Sequence, residues 1–406
     1  MNIIKNLRKV KKYVRAADIA DLLIVLLSWL PGKLLRLRKR HIWLVSERPE
    51  EARDNGYWFF RYVRENHPHL PVYYPIRFSA ADARERIFPL GNAIRYGGFR
   101  HHMYFWAAEK NISAHIGNGF PAPFICRLFL MRGRYSFQNI FLQHGVILNK
   151  APFLMADQNR IDLFITSTPA ETAFVVQELG YPAGRVVCVG LCRYDGLFSP
   201  PARPGRILLL PTWRWRLSPE KGESPKAAYK RIAASGYVRT LQTLINDPGL
   251  EEFLAECGLE LVFLLHPQMQ PFRDCFSAVS PRIRLVSPVP PEQADIQTAL
   301  RESAFLITDY SSISADFAYM RKPLLYYQFD EAAFREQHYP EGYFDYRRDG
   351  YGPVVTAAAE VTAVLRQAYR SGFVMPEPFR QRAEKDFIFN DREYCRRNFE
   401  AVRDFK

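Results

Sequence analysis

Two histidines stand where short apolar runs stop: Gln143-His144-Gly145 follows Asn139–Leu142, and His266-Pro267 follows Leu261–Leu265. A histidine at such a point can shuttle a proton at neutral pH or donate to a phosphate oxygen. Each, taken alone, is equally well explained as a ring satisfied by nearby backbone. A third apolar run, Leu306–Ile307, ends at Thr308-Asp309 and is followed by Tyr310-Ser311-Ser312 and a helical pattern through Asp316. Serine hydroxyls and free N–H groups at a helix start form a phosphate cradle without a glycine-rich loop. The plainer alternative is that Ser312 caps the helix and Asp316 complements its dipole. Two arginines complete the set. Arg193 lies in Gly190-Leu-Cys-Arg-Tyr-Asp195 and Arg214 in Pro211-Thr212-Trp213-Arg214, both just after an apolar run. A guanidinium fork at a cleft edge holds phosphate oxygens in pairs, or pairs with a structural carboxylate such as Asp195. These types together point to transfer of a phosphate-bearing group, with Thr212, Asp309, Ser311, Ser312 and Asp316 on the substrate and a histidine moving the proton.

The elements needed to position them are visible as an alternation of short β-rich runs with helical stretches. The first series is Ile42–Ser46, Val72–Ile76, Ser113–Ile116, Asn139–Gln143, Leu163–Thr166 and Val186–Val189. The second is Ile207–Leu210, Leu261–Leu265, Ile283–Val286, Phe305–Thr308 and Leu324–Gln328. Continuous apolar runs are the mark of parallel strands covered on both faces, so two doubly wound sheets are expected. A Pro- and Gly-rich stretch, 196–205, separates the series. The reading is an α/β chain of the GT-B type, with two Rossmann-like domains facing a central cleft. Residues 41–198 form the first Rossmann-like domain and 199–375 the second. A C-terminal helix over 376–406, near Pro378–Val402, packs back on the first half. Ligands in such sheets sit beyond the carboxyl ends of the strands, where all the residues above fall.

Residues 1–40 are different in kind. They hold eleven Lys/Arg against Asp18 and Asp21, which is most of the chain's net charge of +14. Ile3, Leu7, Val10 and Val14 recur at helical spacing among the basic residues, a basic amphipathic helix suited to anionic headgroups. The apolar run Leu22–Leu30 is too short to cross a hydrocarbon core about 30 Å thick, and Pro31-Gly32 and a second basic cluster follow it. The segment reads as a membrane-association element at a membrane surface, and charge concentrated there does not suit a nucleic-acid binder. Six scattered cysteines form no CxxC, so neither a disulfide framework nor a zinc site is expected. There is no Walker motif, no GxGxxG opening a helix, no HExxH and no GxSxG, which removes the main support for a dehydrogenase, P-loop NTPase, zincin or α/β-hydrolase.

In order along the chain, Phe141-Leu-Gln-His-Gly145, Asp162-Leu-Phe-Ile-Thr-Ser167, Gly190–Asp195, Leu210–Arg214, His266-Pro267, Ile307-Thr-Asp-Tyr-Ser-Ser312, Lys322-Pro-Leu-Leu-Tyr-Tyr-Gln-Phe-Asp330 and Gly342-Tyr-Phe-Asp345 resemble the CDP-glycerol glycerophosphotransferases of teichoic-acid and capsule-polymer synthesis. Residues 1–110 match only loosely. The resemblance implies transfer of glycerol phosphate, or a related alditol phosphate, from CDP-glycerol or CDP-ribitol to a hydroxyl of a lipid-linked or oligomeric acceptor, with release of CMP. It implies His266, Ser311 and Ser312 as donor-pyrophosphate contacts, with His144 the candidate base, Arg193 and Arg214 adding positive charge and Asp309 orienting the loop or a donor hydroxyl. No metal or other cofactor is called for. The setting implied is the cytoplasmic face of the cell membrane, held peripherally. A sugar-nucleotide glycosyltransferase or epimerase is the alternative, since fold does not fix function.

Overall fold

We describe the protein from a computed structural model covering residues 16–117, 119–122, 137–197, 205–287 and 294–406, with side chains from residue 21 onward. The amphipathic stretch Ile3–Val14 and most of the 196–205 stretch therefore lie outside the described residues.

Two parallel sheets carry the chain. The first holds β1 (Trp43–Ser46), β2 (Val72–Ile76), β3 (Ala93–Arg95), β4 (Lys110–Ser113), β5 (Gln138–Phe141), β6 (Leu163–Thr166) and β7 (Val186–Cys188), in the order β3-β2-β1-β4-β5-β6-β7. The second holds β8 (Arg206–Leu209), β9 (Glu260–Leu264), β10 (Ile283–Val286), β11 (Phe305–Thr308), β12 (Leu324–Tyr327) and β13 (Val354–Val355), in the order β10-β9-β8-β11-β12-β13. Leu163–Thr166, Phe305–Thr308 and Leu324–Tyr327 are buried at every position, as the apolar runs require of strands covered on both faces. The strand order reverses between β1 and β4 in one sheet and between β8 and β11 in the other. Those are the switch points where the carboxyl ends open a crevice for ligands.

Two expectations need correction. The strand expected at Ser113–Ile116 lies earlier, at Lys110–Ser113, so Ala114 and His115 run past its end into the cleft. Polar residues concealed it: Lys110 is buried with its ammonium on the Phe405 carbonyl (2.8 Å), and Asn111 Nδ2 donates to Asn139 Oδ1 (3.1 Å). Helix α1 (Ala16–Arg38) runs through Pro31-Gly32. Gly32 packs on α3 (Phe99–Ala107), the helix after α2 (Asn55–Asn66), so tightly that a Cβ there would stand 2.5 Å from Trp106 Cβ. Trp106 Nε1 also donates to the Val25 carbonyl (3.0 Å). Finally, the single long C-terminal helix is two. After α4 (Ile313–Tyr319), α5 (Glu377–Asp386) packs on the second half, with Tyr351 Oη on Asp386 (2.7 Å), whereas α6 (Tyr394–Asp404) packs on the first, with Phe399 against His67 and Trp43.

Candidate active site

The loop after β5 is clamped from beneath. Gln143 takes a left-handed backbone (φ 65°), and its amide donates to the Ile165 carbonyl (2.6 Å) and to Glu171 Oε1 (3.1 Å). Glu171 also accepts from Ile147 N and Ser167 N. Burial pushes its carboxyl up to about 7 against the pull of these donors. Held this way, His144 presents its ring at the cleft, with Nδ1 hydrogen-bonded to Asp54 Oδ2. Burial works to raise the Asp54 carboxyl, but Arg193 and His144 outweigh it and hold it well below the usual range. An ionised Asp54 accepts from Nδ1–H, which leaves the Nε2 lone pair of a neutral His144 facing the cleft as a base. Asp54 is itself fixed by Glu47, whose carboxylate accepts from Arg53 N (2.8 Å), Asp54 N (2.9 Å) and Tyr57 N (2.6 Å). Burial first and Asp54 second push Glu47 up to about 8.

Arg193 and Arg214 are directed away from the phosphate role expected of them. Arg193 is buried and makes a fork to Asp316 (Nε–Oδ1 2.6 Å, Nη2–Oδ2 2.8 Å), while Nη1 reaches Asp54 Oδ1 (2.7 Å) and the His144 carbonyl. Asp316 is buried and serves as the counter-ion of Arg193. Asp195 is not the partner of Arg193; it caps α6 by accepting from Tyr394 N and Cys395 N. Arg214 forks onto Asp330 (2.9 and 2.8 Å), has Asp309 Oδ2 2.9 Å from Nη1, and is walled by the rings of Tyr237, Tyr310, Phe329 and Phe334. Asp309 accepts from Thr212 N (2.8 Å) and Tyr310 N (2.6 Å). The Thr212 hydroxyl is buried without a hydrogen-bond partner.

The two histidine motifs and the serine pair do meet across the cleft. A Cβ on Gly145 would lie 2.6 Å from Ser312 Oγ, so only glycine lets the His144 loop approach the Ser311-Ser312 turn. Ser311 Oγ accepts from Ile313 N (3.3 Å), and Ser312 makes no side-chain cap bond to its helix. His266 Nδ1 accepts from Gln268 N (3.2 Å) and its ring stacks on Trp213 at 5.8 Å between centroids. The neutral ring therefore carries its proton on Nε2, ready to donate. Burial, with smaller pushes from Arg48, His144 and His338, pulls His266 down to about 3. Sequence reasoning missed Asp54, Asn55, Glu47, Glu171 and His115. Asn55 ties two motifs together, donating to the Gln143 carbonyl (2.6 Å) and accepting from Arg193 N (3.0 Å). The signal available was Asp54-Asn55-Gly56 ahead of Tyr57-Trp58-Phe59-Phe60, a helix-cap pattern.

Asp54, His115 and His144 each offer one ligand atom within 4.8 Å of one another, a set of the types that bind divalent cations. Asp54 already has the Arg193 guanidinium on one oxygen and His144 on the other, so a cation there would face a neighbouring positive charge. Dialysis against a chelator is accordingly expected to leave turnover within about twofold; a loss that Mg²⁺ or Mn²⁺ restores would show that the site works with a metal.

A family model described as CDP-glycerol:poly(glycerophosphate) glycerophosphotransferase matches residues 32–403, nearly the whole chain. The chain belongs to this family. Family relatives include the minor teichoic acid biosynthesis protein GgaB of Bacillus subtilis, 26% identical over 368 residues, which is 90% of this chain and 40% of GgaB. The teichoic acid poly(glycerol phosphate) polymerase of the same organism is 32% identical over 85 residues, 21% of this chain and 11% of that protein. The chain thus spans less than half the length of these curated relatives. Among solved structures, the wall teichoic acid polymerase TagF superposes with a TM-score of 0.68 at 12% identity, covering 96% of this chain and 98% of that one. The Staphylococcus aureus MnaA–UDP structure does so at 0.54 and 13%, covering 90% and 96%. At these identities the likeness establishes the family fold: paired parallel α/β sheets of the GT-B kind.

Proposed function

We propose that the chain transfers glycerol phosphate, or a related alditol phosphate, from a CDP-activated donor to a hydroxyl of a polymeric acceptor in teichoic-acid-like synthesis. The observation that carries this reading is the meeting of a carboxylate-oriented histidine with a serine pair across one cleft, in a chain of this family. The acceptor hydroxyl attacks the phosphorus of the alditol phosphate. Its proton passes to His144 Nε2 as the new P–O bond forms, and the bond to CMP breaks with its electron pair on the CMP phosphate. Departing phosphate needs charge stabilisation more than protonation. The His266 Nε2–H, the hydroxyls of Ser311 and Ser312 and the unpartnered Thr212 hydroxyl are the donors for it. The sugar-nucleotide alternative shares the fold with MnaA but accounts for no residue better. The deciding assay supplies CDP-glycerol, and separately CDP-ribitol, with an oligo(alditol phosphate) acceptor and reads CMP. Acceptor-dependent CMP from one donor is expected; none from either, with folded protein, moves the reaction to a sugar nucleotide.

The membrane role rests on α1. No helix among the described residues is long and apolar enough to span a membrane. Yet α1 exposes Leu23, Leu26, Leu27, Leu30, Leu34 and Leu37, each more than half accessible, beside Lys33, Arg36 and Lys39. That is the composition of a helix lying in an anionic interface, close to a lipid-linked acceptor. Because Val25 and Ser28 of the same helix are buried, deleting residues 1–40 would disturb the core. Leu26→Ser/Leu27→Ser/Leu30→Ser is the cleaner variant, expected to lose most binding to phosphatidylglycerol vesicles while melting normally. Undiminished binding would remove α1 from the interface.

A further inference from the structure

The cleft has a charge problem on its acceptor side. Arg193 and Arg214 are neutralised by two aspartates each, and His115 and His266 are held unprotonated by burial. An acceptor built of phosphodiesters brings one negative charge per unit and needs a cation that is not already committed.

The first sheet's switch point supplies one. Arg48 follows the carboxyl end of β1, and among the described residues its ion pairing is a solvent-exposed contact with Glu51 at 3.3 Å. His115 follows the carboxyl end of β4, the neighbouring strand across the switch. Its ring lies 4.3 Å from that of His144, and both of its ring nitrogens are buried with no hydrogen-bond partner. A fold tolerates an unsatisfied buried group of this kind where a ligand completes the set. Ser46 and Ser113 pair in register at the ends of β1 and β4, so Arg48 and His115, each two residues further on, leave the sheet as neighbours on the side of the base.

We propose that Arg48 and His115 form an acceptor subsite at the β1/β4 crevice, holding a phosphodiester of the polymer next to the hydroxyl presented to His144. The guanidinium supplies the ionic contact and the neutral imidazole a single N–H donor. This rests on the transferase reading above and adds to it the side from which the acceptor enters.

The test is steady-state kinetics of Arg48→Gln and His115→Asn, with CDP-glycerol and oligo(glycerol phosphate) varied separately. Arg48→Gln is expected to raise the acceptor KM by about ten- to a hundredfold, the size of one charged hydrogen bond, with donor KM within about twofold. A matching rise in donor KM would assign Arg48 to the donor pyrophosphate, and an unchanged acceptor KM would remove it from either substrate; both overturn the proposal. In parallel, wild type and Arg48→Gln are titrated calorimetrically with tri(glycerol phosphate) in the absence of donor. If the wild type turns over no alditol donor, the transferase reading fails, and this titration alone judges the subsite: weaker binding by the variant sustains it, equal affinity overturns it. Arg48 is exposed, so the variant's fold is not in question should His115→Asn melt early.

Discussion

His144→Ala is expected to lower turnover at saturating donor and acceptor by more than about a hundredfold, the low end for loss of a general base. Donor KM should change little, because the proposed donor contacts His266, Ser311 and Ser312 lie on the other half of the cleft. The structure adds a second arm. Asp54→Asn removes the anion that fixes the His144 Nδ1 proton, so it should reproduce much of the loss while His144 itself remains. If Asp54→Asn is near normal while His144→Ala is not, the histidine acts without its carboxylate. If both are near normal, neither belongs to the reaction.

The second large effect concerns the joint between the halves. Arg193 in the first half carries the charges of Asp54 beside it and of Asp316 across the cleft. Replacing it by Met leaves two carboxylates facing one another in a buried site. Breaking one partner of a buried ion pair costs about 3–5 kcal/mol, and Arg193→Met should destabilise the chain by that order in urea unfolding. Arg193→Met/Asp316→Asn should recover part of the loss, since one stranded charge is then gone. A cost under about 1 kcal/mol for the single variant would mean the fork is not closed in solution. Turnover should fall as well, because Arg193 also fixes Asp54 and the His144 carbonyl.

The arginines show where the amino-acid sequence stops being legible. That Arg193 follows a strand is visible in the apolar run before it. That its partners are Asp54, 139 residues away, and Asp316, 123 residues away, depends on how two sheets face each other, which no local pattern records. The same holds for Asp54: a helix-cap aspartate is common, and only the fold brings it to His144. By contrast, β2, β6 and β11 were readable to the residue, because strands buried on both faces leave unbroken apolar runs. The short β3 and β13 at the sheet edges leave no such run. His115 was hidden inside an apparent strand whose true start, Lys110-Asn111, is polar.

Lys110 carries one more consequence. Its buried ammonium has its oxygens in the last turn of α6, at Val402 and Phe405, and Phe399 covers Trp43. Strand β4 is therefore finished by residues that leave the ribosome almost three hundred positions later. While the second sheet is being made, the first keeps an apolar flank and an unanswered cation uncovered. Domains usually fold in the order in which they are made. Here the half made first locks last, so truncating α6 should act on β1 and β4, beside the base, rather than on the second sheet.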